Sequence, residues 1–233
     1  MGSVSRRSAL PATLLGIALV SSVWAWWLIA TPVLTWSAES HARHAGHFGF
    51  AWLHVFGGSM MLFLGLANLY VGSTRRFFRF HRLLGRLYLV GGGLGTLAAV
   101  VITSSVNHQA TGVVDFRGFG AFSNGTISLL SLSAAWLIAA GMAYRAARNR
   151  RFDSHRDWMI RSYVLVWAFV FCRLVGRVDG AQAMGGGEAF IWLLWVGPLL
   201  VCELALQWRA GSPTPGRPPQ AAAPPTAAPS RRV

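Results

Sequence analysis

Two short segments carry the side chains best suited to chemistry. His81-Arg82-Leu83-Leu84-Gly85-Arg86-Leu87-Tyr88 and His155-Arg156-Asp157-Trp158-Met159-Ile160-Arg161-Ser162-Tyr163 each set a histidine ahead of an arginine and a tyrosine, with spacings that differ by one residue. Imidazoles presented at equal depth by two helices can ligate a haem iron from both axial sides, and nearby guanidinium groups can pair with its propionates. The expected ligands are therefore His81 and His155, with Arg86 and Arg161, or Arg82 and Arg156, on the propionates. Ser154 with Asp157 three positions on reads as a capping box, which places His155 at a helix start. A cation there opposes the helix dipole by a few tenths of a kcal/mol. For either histidine alone, the plain alternative is an amphipathic anchor at a membrane interface.

A second set lies deeper in apolar sequence, where an ionisable group is costly and needs a reason. His54 is six residues beyond Phe48 and Arg173 five residues before Val178, about 9 Å and 7–8 Å inside one boundary at 1.5 Å per residue. Their matching depth predicts one polar intramembrane site of His54, Arg173, Glu203 and Asn124, with Glu188 and Asp179 as further counter-charges. A buried structural hydrogen-bond network competes with that reading. His41, His44 and His47 form an H-x-x-H-x-x-H run, a spacing zinc or copper can use, but the run precedes a helix and reads as a solvated loop. No Ser/His/Asp set, phosphate-binding loop, HExxH or dinucleotide fingerprint occurs, so hydrolase and nucleotide chemistry have no support.

The elements that must position these groups are six apolar stretches: Leu10–Leu34, Phe48–Val71, Leu83–Ser105, Phe122–Tyr144, Trp158–Val178 and Ala189–Gln207. Each approaches or exceeds the roughly 20 residues a helix needs to cross a bilayer. The chain has no lysine, and its 21 basic residues are all arginine. Seventeen of them fall on one side, at the two termini, in the connections after the second and fourth stretches, and at Arg86 and Arg161 just inside the stretches that follow, with only Arg43, Arg117, Arg173 and Arg177 on the other side. By the positive-inside rule both termini are cytoplasmic. The fold class is thus all-α, an integral membrane bundle of six transmembrane helices.

Bulk composition agrees, since 54% hydrophobic residues is too apolar for a soluble domain of 233 residues. The net charge of +14 sits beside membrane spans, where anionic lipid headgroups account for it without nucleic acid. Cys172 and Cys202 fall inside spans, so neither a disulfide framework nor a CxxC metal motif exists. The first stretch is too long for a usual signal peptide and is read as a retained helix. Residues 1–208 form one transmembrane domain, and 209–233, rich in Pro, Ala and Arg, read as a disordered cytoplasmic tail.

Small and polar residues mark the inward faces. Span two carries His47, Ala51, His54, Gly58, Met61, Gly65, Asn68 and Gly72 at steps of three and four, and span three carries His81, Gly85, Tyr88, Gly92, Gly95, Ala99 and Thr103. Span four offers Asn124, Ser128 and Ser131, and span five Ser162, Val166, Phe169 and Arg173. Spans two to five therefore form the core, with one and six outside. The small residues permit close backbone approach or leave room for a flat ligand.

The segments His54-Val55-Phe56-Gly57-Gly58, His81 to Tyr88 and His155 to Tyr163, followed by Arg173-Leu174, resemble a family of predicted bacterial membrane proteins known as domain of unknown function 2306. The likeness covers about Phe48 to Gly176 and implies a multi-pass membrane protein, without implying a reaction. A looser architectural likeness joins the chain to the six-span cytochromes of the b-561 type, which hold haem between spans two and four and between spans three and five. That likeness implies haem b on His81 and His155, while His54 lacks a histidine partner on span four, with His108 of the outer loop as a substitute.

The leading expectation is a b-type haem protein that passes electrons, a membrane oxidoreductase component with a quinone or other redox partner. Two other classes stand beside it: a non-redox transporter or proton-coupled permease built on His54, Arg173 and Glu203, and a structural or partner-binding membrane protein without a cofactor.

Overall fold

The computed structural model describes residues 12–35, 46–111, 124–175 and 187–211. They form six long helices: α1 (Ala12–Leu34), α2 (Phe48–Thr74), α3 (His81–Thr111), α4 (Asn124–Arg148), α5 (Phe152–Val175) and α6 (Gly187–Gly211), with a 3-10 turn at Phe78–Phe80. No strand occurs among the described residues. Each helix contains a stretch long and apolar enough to cross a membrane, from 19 residues at Thr13–Thr31 to 27 at Phe48–Thr74. At 1.5 Å per residue these measure about 28 to 40 Å, enough for the hydrocarbon core. Large apolar side chains such as Val20, Ile138, Leu193 and Val201 lie exposed on the outside, as lipid contact requires.

The two connections at the arginine-rich end are tight. Arg75 and Phe77 both adopt left-handed conformations at φ 57° between α2 and α3, and the Arg75 amide donates to the Val71 carbonyl, closing α2. Arg150 does the same between α4 and α5 at φ 58°. That turn lets α5 begin at Phe152, earlier than expected, with the His155 amide already donating to the Arg151 carbonyl at 2.9 Å. Ser154 thus sits inside the first turn and is not its cap. Helix α3 also runs beyond its expected end at Ser105 to Thr111, taking in part of the expected outer loop. The expected tail lies outside the described residues from 212 onward, as do His41, His44, Arg117, Asp179 and the side chains of His108 and Glu188.

Spans two to five form the core. About 33–44% of residues in the apolar windows of α2 to α5 are buried, against 17% in α1 and α6. Glycine sets the closest contact: a Cβ on Gly57 of α2 would overlap the Gly91 carbonyl and the Gly95 backbone of α3. Trp136, Tyr88, Leu132 and Leu165 fill the centre and are almost wholly enclosed. Lipid offers no hydrophobic force between helices, so packing and hydrogen bonds must hold the outer pair. Trp26 of α1 donates through Nε1 to Ser59 Oγ at 2.6 Å, and Trp195 of α6 donates to Ser128 Oγ at 3.0 Å. Each indole spreads an apolar body over the bundle and plants one polar hook in it.

Candidate functional site

Two polar regions occupy opposite ends of the α2, α3 and α5 interface. At the arginine-poor end, a cavity of about 90 Å³ takes its walls from α1, α2, α3 and α5, and both His54 and Arg173 line it. The two side chains whose depths match in the sequence thus line one cavity. Trp26, Ser59 and Thr96 add polar atoms, while Met61, Leu62, Val166 and Phe169 make most of the remaining wall apolar. His54 Nδ1 lies 3.0 Å from the Gly95 carbonyl. A carbonyl only accepts, which assigns the proton of a neutral ring to Nδ1 and the lone pair to Nε2. An adjoining hollow shares His54, Ala99, Phe169 and Arg173 and adds Thr103, Ser133 and Cys172.

The other two members of the expected set are elsewhere. Glu203 accepts from Arg161 Nε at 2.8 Å and Nη2 at 2.6 Å, closing a forked ion pair between α5 and α6. Arg161 is twelve residues, about 18 Å along the helix, from Arg173. Asn124 Oδ1 accepts from Trp192 Nε1 at 2.9 Å and does not line the cavity. Sequence depth found the histidine and the arginine. It could not find Trp26, which sits on a helix expected outside the core, or Thr96, which looks like any span residue.

At the arginine-rich end the two expected histidines meet. The ring centroids of His81 and His155 are 6.2 Å apart with planes at 89°, and Phe78 stacks on His81 at 5.2 Å. His155 Nδ1 is 2.9 Å from the Ala143 carbonyl, so its neutral ring carries the proton there. Gly72 of α2 admits the ring of His81, whose Cε1 would lie 4.0 Å from an added Cβ. His81 Nδ1 is enclosed without a hydrogen-bond partner. One turn further in, Asn68 is only 4% exposed, and neither its amide nitrogen nor its oxygen has a partner. An unmet buried polar group costs roughly 1–3 kcal/mol, so an amide with two such atoms is conspicuous. Above it Tyr88 Oη and Ser162 Oγ are 3.0 Å apart, Trp136 Nε1 donates to Tyr88 Oη at 3.3 Å, and Tyr163 Oη donates to the Leu62 carbonyl at 3.2 Å.

These residues meet half of what a haem requires. His81 and His155 would be the residues to hold its iron, and a ligating histidine ordinarily donates its other nitrogen to a carbonyl, as His155 does. Deeper along the two stripes, the room left by glycine is taken by the bundle itself. An added Cβ on Gly92 would strike the Trp136 ring and one on Gly65 the Tyr163 ring, so these stripe glycines house aromatic side chains of the bundle itself. Arg161, one of the expected propionate partners, is already engaged by Glu203, while Arg86 is exposed. Among the described residues no three His, Cys, Asp or Glu side chains gather as a metal site.

Residues 51–206 match the family described as "Predicted membrane protein (DUF2306)". The chain belongs to this family. The DUF2306 match runs from Ala51 of α2 to Leu206 of α6, so both polar regions fall within it apart from Trp26 and the rest of α1. It extends beyond the stretch expected from sequence and takes in the Arg161–Glu203 pair. No curated protein and no solved structure matches the chain.

Proposed function

We propose that this DUF2306 protein is a non-redox permease of a bacterial inner membrane, with its arginine-rich end in the cytoplasm, and that it takes up an amphiphilic solute from the outer leaflet. The observation that carries this reading is the shared cavity of His54 and Arg173. A largely apolar hollow with a few convergent polar groups is the ordinary form of a small-molecule site. Its walls suit an apolar body, and its two ionisable groups suit a carboxylate or a quinone-like carbonyl head. Native mass spectrometry of nanodisc-embedded protein with dodecanoate and with a short-tailed quinone tests it. One bound molecule is expected in the wild type and none in His54→Ala and Arg173→Ala. Equal retention by all three proteins, or by none, removes the proposal.

Electron transfer through haem b is a second reading, supported by the 6.2 Å separation of His81 and His155 and the carbonyl anchor on His155. A Soret band that disappears in both His81→Ala and His155→Ala is its signature. Protein made with ample haem yet lacking that band rules it out.

A further inference from the structure

We propose that the bundle has a second vestibule, a water-filled inlet that enters at the arginine-rich end past His81 and His155 and ends on Asn68. Asn68 lies three residues beyond Gly65 and four before Gly72, on the face that those glycines turn toward Tyr88 and Tyr163 on one side and His81 on the other. Its amide therefore faces the space between the two imidazoles and the tyrosines. On α3 the matching position between His81 and Tyr88 is Gly85, where an added Cβ would meet no atom within 4 Å. Gly85 thus leaves room on the His81–Tyr88 face of α3, at the end of the bundle that also holds a 96% buried amide with two unpartnered atoms and an imidazole nitrogen in the same condition. A polar hollow of this kind is where buried water resides, because water supplies both donors and acceptors.

The chemistry selects small neutral hydrogen-bonding molecules. The groups named for the hollow are amide, hydroxyl and imidazole, which donate and accept hydrogen bonds, and the carboxylates Glu203 and Asp157 are bound to Arg161 and Arg209. Between this inlet and the cavity of His54 and Arg173 stands a short septum. Asn68 is six residues, about 9 Å along α2, from Leu62, which forms part of the cavity wall and whose carbonyl receives the Tyr163 hydroxyl. Two half-vestibules separated by one packed layer are the layout a permease needs, and that consequence alone rests on the function proposed above.

Accessibility of an introduced thiol tests the inlet. In the full chain carrying Cys172→Ser and Cys202→Ser, Asn68→Cys is treated with a small neutral, bilayer-impermeant methanethiosulfonate from each face of sealed vesicles. The expected rate is at least tenfold above that of Ala140→Cys, a buried control in α4, and only from the arginine-rich face. Gly85→Cys, where an added Cβ has open space, should behave alike if Asn68→Cys fails to fold. Rates equal to the control in both variants, or labelling from the opposite face, overturn the proposal. Loss of amphiphile binding with labelling intact would instead sink the function proposed for the outer cavity.

Discussion

Arg161 and Glu203 lock α5 to α6 through two hydrogen bonds to one carboxylate oxygen, at 2.8 and 2.6 Å. The arginine side chain is 18% exposed and the glutamate 40%, so the pair is neither fully buried nor free in solvent. Hydrogen bonds to charged groups contribute roughly 1.5–3 kcal/mol, and partial exposure argues for the lower half of that range. Glu203→Gln should therefore lower stability by about 1–2 kcal/mol, read as an earlier unfolding transition in detergent. Arg161→Met combined with Glu203→Leu should recover most of the loss, because no unpaired charge is left behind.

Gly57 should tolerate nothing larger. Its missing Cβ is what lets α2 meet the Gly91 and Gly95 backbone, which cannot swing away as a side chain tip can. Gly57→Ala is expected to cost about 2 kcal/mol or more through overpacking. Gly141→Ala, with no atom within 4 Å of the added carbon, should cost nothing measurable. Thermal unfolding of the two variants side by side checks the contrast, and equal losses would mean that the α2–α3 contact is looser than described.

The two buried tyrosines should differ. Tyr88→Phe strips a partner from both Ser162 and Trp136 in a site with no exposure, for a loss of about 1–2 kcal/mol. Tyr163→Phe removes the bond to the Leu62 carbonyl, which keeps its helical partner, in a site less enclosed than that of Tyr88, for about 0.5–1 kcal/mol. A larger loss at Tyr163 than at Tyr88 contradicts this ordering.

Cys172 reports on the outer site because it lines the hollow that shares His54 and Arg173 with the main cavity. A bound amphiphile should slow its alkylation by a membrane-permeant maleimide at least several-fold while leaving Cys202, buried on α6, unchanged. Protection of both thiols to the same degree would indicate a general stiffening of the bundle.

Much of this was legible in the sequence, for reasons that differ from residue to residue. The six helices and the inner four were readable because lipid imposes a length and forbids polar surface, so span and face both leave a strong pattern. Counting residues from a boundary was enough to pair His54 with Arg173, and matching helix starts were enough to pair His81 with His155, because helix rise is constant. The partner of Glu203 was not legible, since depth on α6 cannot be related to depth on α5 without knowing how the two helices align. The stripe glycines pointed equally to close packing and to a flat ligand. Only the positions of Trp136 and Tyr163, brought in from α4 and α5, show that packing fills that space. Asn68 stood on the inward face in the sequence, but its lack of a partner is a property of the assembled bundle.

Isothermal titration of the reconstituted protein with a short-tailed quinone and with dodecanoate, wild type against the His54→Ala/Arg173→Ala double variant, bears most directly on the central assignment. Saturable binding of at least one of these with one-to-one stoichiometry, weakened at least tenfold in the double variant, is the predicted result. Absence of saturable binding of either, or equal affinity in the two proteins, would contradict it.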